Sequence, residues 1–427
     1  MILMANARKT AVKALLKIEQ DSAYSNITLN SVFKESEFSP ADKALISALV
    51  YGVLDRKITL DYVLSRFMKT PVKKTAPFTL MVLRTALYQI MYMDKIPQSA
   101  AVNEAVKLIK ASKENRNSGF VNAVLRAVLR AEKLLPEGDS INELSIRFSC
   151  PEFIVKSFFE DYGKENTKKL LEASLETPPL TVRVNTAKTD AESLKQSFLD
   201  DGIACESTDI DNCLYFPKGF DIQNNESYKK GYFYVQDTAS QKAVSVLSPQ
   251  KNTRVLDMCA APGGKSFTMA NLMENKGEII ACDLYEARVN LIADSAKRLG
   301  LDIVHPTVCD ATEYNANLGS FDCILCDVPC SGLGVLRRKP EIKYKEDFDF
   351  TTLEDIQYRI LCNAVKYLKK GGKILYSTCT LRIRENENLV NRFLTEYNGF
   401  RKIYEHTFMP HTDNTDGFYC ALLVNDN

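Results

Sequence analysis

Two cysteines in the C-terminal half of the chain have the side-chain type and the surroundings that covalent catalysis requires. Cys330 follows Asp327-Val-Pro329, and Cys379 lies in the run Ser377-Thr-Cys-Thr380. Each run comes directly after a predicted strand, and we expect these two strands to be neighbours in one sheet. Two thiols and the Asp327 carboxylate could then converge on one substrate atom, and a thiolate is a strong nucleophile toward carbon.

A turn that contains glycine, between a predicted strand and a predicted helix, is a candidate ligand site. Backbone N–H groups and the helix N-terminus in such a turn face whatever binds there. A nucleotide-binding P-loop would need Gly at position 259, where this chain has Cys, and the dinucleotide pattern Gly-x-Gly-x-x-Gly is absent. We therefore predict a cofactor-binding turn of another type, formed by Cys259, Ala260, Ala261, Pro262, Gly263, Gly264 and Lys265.

Acidic residues end the predicted strands of the same region. Asp257 and Asp283 end the first and second strands, and Asp310 and Asp327 end the third and fourth. A carboxylate at the end of the second strand can accept both ribose hydroxyls of a nucleoside. Because a cluster of four carboxylates repels phosphate, the predicted ligand is S-adenosylmethionine, which carries a positive sulfonium and no phosphate, rather than ATP or NAD.

The residues after the fourth predicted strand discriminate between methylation chemistries. Enzymes that methylate an exocyclic amine carry a Pro-Pro-aromatic turn there, whereas this chain has Asp327-Val-Pro-Cys330. Carbon 5 of a pyrimidine is not nucleophilic until a thiolate adds to carbon 6, so that chemistry makes a cysteine obligatory. A base must later remove the proton from carbon 5 and the thiolate must leave, which gives a second group in the site a role.

The elements that would position these residues fall into three regions. From residue 6 to about 135, apolar residues recur at helical spacing. Residues from about 140 to 234 combine a helical stretch with a strand-like Leu180–Asn185. From residue 236 onward, strands and helices alternate as in a mainly parallel, doubly wound sheet whose site lies at the carboxyl ends of the strands. The predicted strands are Arg254–Met258, Glu278–Cys282, Ile303–Val308, Cys323–Cys326 and Lys373–Ser377, and the predicted helices are Ser266–Met273, Glu286–Leu299 and Leu353–Leu368.

Charge and composition narrow the function classes. Residues 1–133 hold 21 Lys and Arg against 11 Asp and Glu, and the remainder holds 34 against 43. A basic N-terminal module attracts nucleic acid, although a solvated helical face with spare lysines explains the charge equally well. Twelve cysteines and only three histidines disfavour a metal site with several imidazole ligands. The sequence shows neither a secretory signal nor a membrane span, which predicts free thiols in a reducing cytoplasm.

Several long motifs resemble the NOL1/NOP2/Sun family of RNA cytosine-C5 methyltransferases. They are Leu256-Asp-Met-Cys-Ala-Ala-Pro-Gly-Gly-Lys265, Asp327-Val-Pro-Cys-Ser-Gly332, Arg337-Arg338, Tyr376-Ser-Thr-Cys-Thr-Leu381 and Glu385-Asn-Glu387. With the flanking elements Phe233–Asp237 and Asp416–Phe418, the resemblance spans roughly residues 178 to 423. The helical front, with Gly119-Phe-Val-Asn-Ala-Val-Leu-Arg126, resembles a NusB-type RNA-binding bundle.

The resemblance implies roles that spacing alone does not assign. It makes Cys379 the nucleophile and gives Cys330 a part in product release, with Asp327 contacting both the methyl donor and the base. It implies that S-adenosylmethionine binds the turn Cys259–Lys265 together with Asp283, Asp310 and Asp327. It also implies RNA contacts by Arg183, Asn185, Arg337 and Arg338, although an arginine at a sheet edge, such as Arg183, is as readily structural. The chain departs from the family pattern at Val328 and Thr380, where Ala and Ser are usual.

The implied architecture is α/β. A Rossmann-like S-adenosylmethionine-dependent methyltransferase domain over residues 236–427 follows an all-α NusB-like bundle over 1–137 and a small α/β RNA-contacting insert over 140–235. This arrangement is similar to that of bacterial enzymes that methylate carbon 5 of one cytosine in 16S ribosomal RNA. We expect a cytoplasmic monomer with ribosomal RNA of the small subunit as partner, and neither a membrane nor a metal. The alternatives are methylation of another RNA such as tRNA, methylation of a protein, and a non-catalytic RNA-binding factor.

Overall fold

The computed structural model describes residues 6–21, 25–344 and 349–426. The chain forms two compact units. The first comprises residues 1–176 together with residues 336–346, and the second comprises residues 177–335 and 347–427. The division into three domains at residues 137 and 235 stays a prediction.

The first unit is helical, as its apolar periodicity predicts. Two of its helices begin at side-chain caps: Ser39 accepts a hydrogen bond from the backbone N–H of Asp42 ahead of one helix, and Ser140 and Glu143 form a reciprocal capping box ahead of another. The helices are Ala7–Asp21 (α1), Ser25–Glu35 (α2), Pro40–Asp55 (α3), Lys57–Phe67 (α4), Pro77–Tyr92 (α5), Gln98–Lys110 (α6), Ser118–Leu129 (α7), Ile141–Phe148 (α8) and Glu152–Ala173 (α9), the last of which is interrupted at Gly163.

The aliphatic faces of α1 and α3 to α7 form one hydrophobic core. Arg84 of α5 is buried at the edge of this core, where its guanidinium binds Asp61 at 2.7 Å and Glu19 at 3.1 Å. A buried charge of this kind is tolerated because both of its partners are fixed on neighbouring helices.

A short segment from late in the sequence completes the first unit. The 3₁₀ helix Pro340–Tyr344 packs on α3, and the side chain of Lys343 is fully buried with its ammonium group 3.6 Å from the Asp55 carboxylate. The Tyr344 hydroxyl donates to the carbonyl of Leu54 at 2.8 Å. Burial raises the pKa of Asp55 to about 6, although the Lys343 charge opposes that shift.

The second unit contains two sheets. The smaller has the order β2-β3-β1-β4 and the larger has the order β10-β11-β9-β8-β5-β6-β7. The strands are Leu180–Val184 (β1), Glu206–Ser207 (β2), Cys213–Phe216 (β3), Phe233–Val235 (β4), Arg254–Asp257 (β5), Glu278–Asp283 (β6), Val304–Val308 (β7), Phe321–Asp327 (β8), Leu368–Thr378 (β9), Phe400–Phe408 (β10) and Phe418–Asn425 (β11). The helices are Ala191–Asp200 (α10), Glu226–Lys229 (α11), Thr238–Leu247 (α12), Gly264–Leu272 (α13), Glu286–Leu299 (α14), Phe350–Val365 (α15), Glu387–Glu396 (α16) and Pro410–Asp413 (α17).

The larger sheet confirms the predicted Rossmann-like arrangement and extends it. Strands β9, β8, β5, β6 and β7 are parallel, as predicted, and β8 and β9, which lead into the Cys330 and Cys379 motifs, are neighbours. The antiparallel pair β10 and β11 is not among the predicted strands. The sequence of β10 is Phe-Arg-Lys-Ile-Tyr-Glu-His-Thr-Phe. Its charged side chains face solvent, as is common in an edge strand, so the sequence lacks the apolar pattern by which the other strands were predicted. Within the described residues, no helix is long and apolar enough to span a membrane.

We expect Lys343→Met to destabilise the protein by about 2 kcal/mol at pH 7.5, because the Asp55 carboxylate would lose its buried counter-charge. Ionisation of an acid whose pKa is raised disfavours the folded state above that pKa, so the loss should shrink at pH 5, where Asp55 is largely protonated. Denaturant unfolding at both pH values measures the difference. Lys339→Met, at an exposed lysine of the same segment, is the control and should stay within about 0.5 kcal/mol of the wild type. Equal losses for both variants would contradict the assignment.

Candidate active site

The pairing of β8 with β9 brings the two cysteine motifs together. The strands are parallel, and Asp327, the last residue of β8, lies opposite Ser377 near the end of β9. The chain therefore leaves both strands at the same edge of the sheet. The two loops then join through a hydrogen bond between the hydroxyls of Ser331 and Thr380 at 2.7 Å.

Cys330 and Cys379 are in direct contact. Their sulfur atoms lie 3.1 Å apart, within hydrogen-bonding distance, and both side chains are partly accessible. The backbone N–H of Gly334 donates to the carbonyl of Cys379 at 3.0 Å. Only glycine fits at position 334, because a Cβ atom there would lie 2.0 Å from the carbonyl oxygen of Gly417. The structure thus brings together the two thiols that the sequence predicts at one site.

The surroundings of Cys330 favour its protonated form. The hydrogen bond with Cys379, and then burial, raise the pKa of Cys330 well above its usual value. Cys330 therefore stays protonated near neutral pH, where it can donate its proton to the sulfur of Cys379 in a hydrogen bond.

Asp327 is held between two donors at the same edge. The Lys265 ammonium group lies 2.7 Å from one carboxylate oxygen, and the Ser377 hydroxyl donates to the other at 2.8 Å. Burial alone would lower the pKa of Lys265, but the attraction of Asp327 outweighs it and the pKa is raised. Lys265 is therefore charged, and it orients the Asp327 carboxylate.

The predicted cofactor turn has the geometry of a backbone cradle. It joins β5 to α13 and is pinned to β6 by a hydrogen bond from the N–H of Ala260 to the carbonyl of Cys282 at 2.7 Å. Gly263 caps α13 with a φ of 106°, a conformation that disfavours other residues. Cys259 is partly accessible, and burial of its thiol raises its pKa well above its usual value, so the thiol stays protonated near neutral pH.

Two of the predicted carboxylates lie at the ends of adjacent strands beside this turn. Asp283 ends β6 and Asp310 follows β7, its paired neighbour. Hydrogen bonds from the Thr312 hydroxyl and N–H lower the pKa of Asp310, which is therefore ionised at neutral pH. The Arg288 guanidinium binds Asp283 at 3.2 Å and also donates to the carbonyl of Ala261 at 3.0 Å, so it connects β6 to the turn. The sequence analysis did not identify Arg288.

Asp257 does not line the site with the other carboxylates, although the sequence predicted that it would. Its side chain is fully buried under the turn, where it accepts a hydrogen bond from the Ser266 hydroxyl at 2.6 Å. Burial raises the pKa of Asp257 to about 7. Asp257 supports the turn from within, since β5 ends opposite Ala281, two residues before β6 ends at Asp283.

Two buried residues fix the loops, and the sequence analysis gave them no role. The Glu385 carboxylate accepts hydrogen bonds from the N–H of Ser331 at 2.9 Å, from Gln357 at 2.8 Å and from Arg382 at 3.1 Å. Asn386 binds the Thr378 hydroxyl at 2.6 Å and the Thr380 carbonyl at 3.0 Å, on either side of Cys379. Their place in the motif Glu385-Asn-Glu387 could have indicated that these two residues have a role. Their hydrogen-bond partners in the other loop are distant in sequence, so the role itself is known only from the fold.

The four residues expected to contact RNA lie in different environments. Arg183 is 3% exposed and donates to the Asp211 carbonyl and to Gln241, and Asn185 is fully buried and binds the carbonyls of Gly231 and Leu299. Both side chains thus have internal structural roles. Arg337 is buried and Arg338 is half-buried, on the segment that belongs to the first unit. RNA contact by the four residues stays a prediction.

We expect Glu385→Gln to lower the free energy of unfolding by about 2 kcal/mol, because the amide has one acceptor oxygen where the carboxylate serves three donors. Denaturant unfolding measures the change. Glu396→Gln is the matched control, since its ion pair with Arg392 is half-exposed and contributes about 0.5 kcal/mol or less. A Glu385→Gln protein as stable as the control would show that the buried carboxylate does not hold the loops.

Comparisons with known proteins agree across the whole chain. Family models match for the NusB family over residues 5–130, for a ferredoxin-like domain of RsmF/B-like methyltransferases over 150–223, and for the 16S rRNA methyltransferase RsmB/F over 244–424. The chain is 38% identical to a probable ribosomal RNA small subunit methyltransferase B of Bacillus subtilis (strain 168), over 98% of both chains.

Two solved structures share the fold. A crystal structure of PH0851 superposes with a TM-score of 0.84 at 23% identity and covers 99% of each chain. A structure of NSun6 from Pyrococcus horikoshii with SFG gives a TM-score of 0.61 at 24% identity, over 65% of this chain and 98% of the other. At these identities the likeness concerns the fold alone.

Proposed function

The chain belongs to the RsmB/F family of 16S rRNA methyltransferases, and we propose that it methylates carbon 5 of a specific cytosine in 16S ribosomal RNA through a covalent bond to Cys379. The observation that carries this proposal is the 3.1 Å contact between the sulfur atoms of Cys379 and Cys330 beside Asp327. Amine methylation needs no nucleophilic thiol, whereas methylation of carbon 5 needs one thiolate to attack and a means to release it.

S-adenosylmethionine is the proposed methyl donor, and the residues present fit it. The turn from Cys259 to Lys265 offers backbone groups, Asp283 is placed for ribose hydroxyls, and Asp310 adds a further negative charge. A positively charged sulfonium suits such a site better than a phosphate does. Bound there, S-adenosylmethionine supplies a methyl group activated by the positive charge on its sulfur. The SFG in the NSun6 structure is an analogue of this donor.

In the proposed reaction, each residue of the site has one task. The Cys379 thiolate adds to carbon 6 of the cytosine, so that a sulfur–carbon bond forms and carbon 5 becomes nucleophilic. Asp327, held by Lys265 and Ser377, contacts the base and keeps it oriented. After methylation, a base accepts the proton from carbon 5, the electron pair of that bond forms the double bond between carbons 5 and 6, and the bond from carbon 6 to sulfur breaks with its electron pair left on Cys379 as a thiolate. Cys330, a protonated thiol in contact with Cys379, stabilises the departing thiolate.

We expect Asp283→Ala to weaken binding of S-adenosylmethionine by about tenfold to a hundredfold, because loss of charge-assisted hydrogen bonds costs about 1.5 to 3 kcal/mol. Isothermal titration calorimetry measures the affinity. Asp294→Ala, at an exposed aspartate of α14, is the control and should bind like the wild type. Unchanged affinity of the Asp283 variant, or tight binding of ATP with none of S-adenosylmethionine, would contradict the assignment.

The two cysteine variants should fail at different steps, and they test the proposed function. Cys379→Ser should abolish methylation and form no covalent adduct, because a hydroxyl near neutral pH is a far poorer nucleophile than a thiolate. Cys330→Ala should attack and methylate but release slowly, leaving RNA attached to Cys379. A denaturing gel with labelled 16S rRNA shows the adduct, and bisulfite sequencing identifies the methylated cytosine.

Three outcomes would count against the proposal. An adduct in Cys379→Ser and none in Cys330→Ala would reverse the two roles. A fully active Cys330→Ala enzyme without adduct would leave Cys330 a structural residue of its loop. A wild-type protein that methylates tRNA and not 16S rRNA would retain the chemistry but replace the substrate.

A further inference from the structure

A cavity of about 280 Å³ lies in the second unit between the small sheet, the start of α12 and the turn that follows α17. Its wall includes Thr181 and Tyr215 of the small sheet, Asp209 and Lys242 on one side, and Asp413 and Asn414 on the other. None of these residues has a part in the chemistry described above. The cavity is large enough for one nucleobase, so we asked what ligand its lining would accept.

The wall of this cavity is connected to the catalytic loops through backbone contacts. The residue after Asp237, Thr238, lines the cavity, and the Asp237 carboxylate accepts the N–H of Asp416 at 3.4 Å. The next residue, Gly417, donates to the carbonyl of Gly334, whose own N–H binds the carbonyl of Cys379. Gly417 also lies only three residues after Asn414 of the cavity wall, a stretch of at most about 11 Å, so the cavity lies near the loop that carries Cys379.

Tyr215 presents an aromatic surface that the protein itself does not use. In the antiparallel pair β1 and β3 it lies opposite Thr181, so both side chains point to the same face, where they line the cavity. Among the described residues, its hydroxyl has no hydrogen-bond partner and its ring has no aromatic neighbour. The adjacent Phe216 points to the other face and packs against Phe198 at 4.9 Å between ring centres. A half-buried aromatic ring that lines a cavity and has no aromatic partner can serve as a platform for stacking a base.

The charges of the lining favour a base over a phosphate. The Lys242 ammonium group is already paired with Asp209 at 3.1 Å. Asp413 adds a second carboxylate, so the described lining carries more negative than positive charge. A phosphate would be repelled, whereas the N–H groups of a base could donate to the exposed carboxylate of Asp209.

We propose that this cavity binds a base of the RNA strand next to the target cytosine, stacked on Tyr215. The inference rests on the proposed function, since it requires an RNA substrate at Cys379. Enzymes that act on a base commonly select their site through contacts to flanking nucleotides, and this cavity would be such a contact.

A double-mutant cycle between protein and RNA tests the proposal. The substrates are 16S rRNA molecules assembled by splinted ligation. One carries a single abasic residue immediately before the target cytosine, and another carries a single abasic residue immediately after it. For the wild type, one of these abasic residues should lower kcat/KM about tenfold. Tyr215→Leu should lower kcat/KM of the unmodified RNA by a similar factor, and the same abasic residue should then cause almost no additional loss.

The controls separate this proposal from a folding defect and from the proposed function. Tyr215→Phe keeps the ring and should behave like the wild type, and all variants should bind S-adenosylmethionine with unchanged affinity. If Tyr215→Leu and the abasic residue together lowered kcat/KM by about a hundredfold, the two effects would be independent and the proposal would be overturned. A Tyr215→Leu enzyme with full activity would also overturn it. If Tyr215→Leu lowered kcat/KM only when ribosomal proteins are present, the cavity would bind a protein and the proposal would also be overturned. If the wild type fails to methylate any 16S rRNA, the proposed function has failed, and the cavity has no RNA base to bind.

Discussion

The parallel pairing of β8 with β9 is the constraint on which the active site depends. The register that sets Asp327 opposite Ser377 fixes where both loops leave the sheet, and the contacts between Ser331 and Thr380 and between the two cysteines follow from it. A shift by one residue would turn every side chain of β9 to the opposite face. Two thiols that are 49 positions apart in sequence meet because of the backbone ladder, and no local feature of either motif could bring them together.

Buried polar groups make that arrangement rigid. A carboxylate such as that of Glu385 can be buried only if its oxygen atoms accept hydrogen bonds. The loops that supply the donors are therefore held in the conformation in which all of these hydrogen bonds form. Asn386 and the pair of Lys265 with Asp327 act in the same way around Cys379 and the cofactor turn. The site is therefore pre-organised by buried hydrogen bonds, some of them from residues such as Glu385 and Asn386 that have no part in the proposed chemistry, which is how precise catalytic geometry is usually maintained.

Sequence reasoning was most successful where the signal is local. Strands β5, β6 and β8 and the second half of β9 are mainly apolar runs that end in polar motifs, so their existence and the meeting of Cys330 with Cys379 could be predicted. β10 could not, because the charged pattern of an edge strand resembles that of a loop. The burial of Asp257 and the internal hydrogen bonds of Arg183 depend on neighbours that are far away in sequence. The Lys343 side chain belongs to the first unit although its sequence neighbours belong to the second, and no composition or periodicity indicates that.

The position of Lys343 also bears on how the protein is made. A ribosome delivers the helices α1 to α9 first, and domains generally fold as they emerge. Here the helices emerge with Asp55 still lacking its cation, because residues 336–346 follow only after residues 177–335 have been synthesised. The N-terminal unit is therefore completed late in translation, when most of the second unit has also left the ribosome. Its completion precedes the emergence of β9, which leads into Cys379, so the order of synthesis lets the first unit mature before the catalytic cysteines can meet.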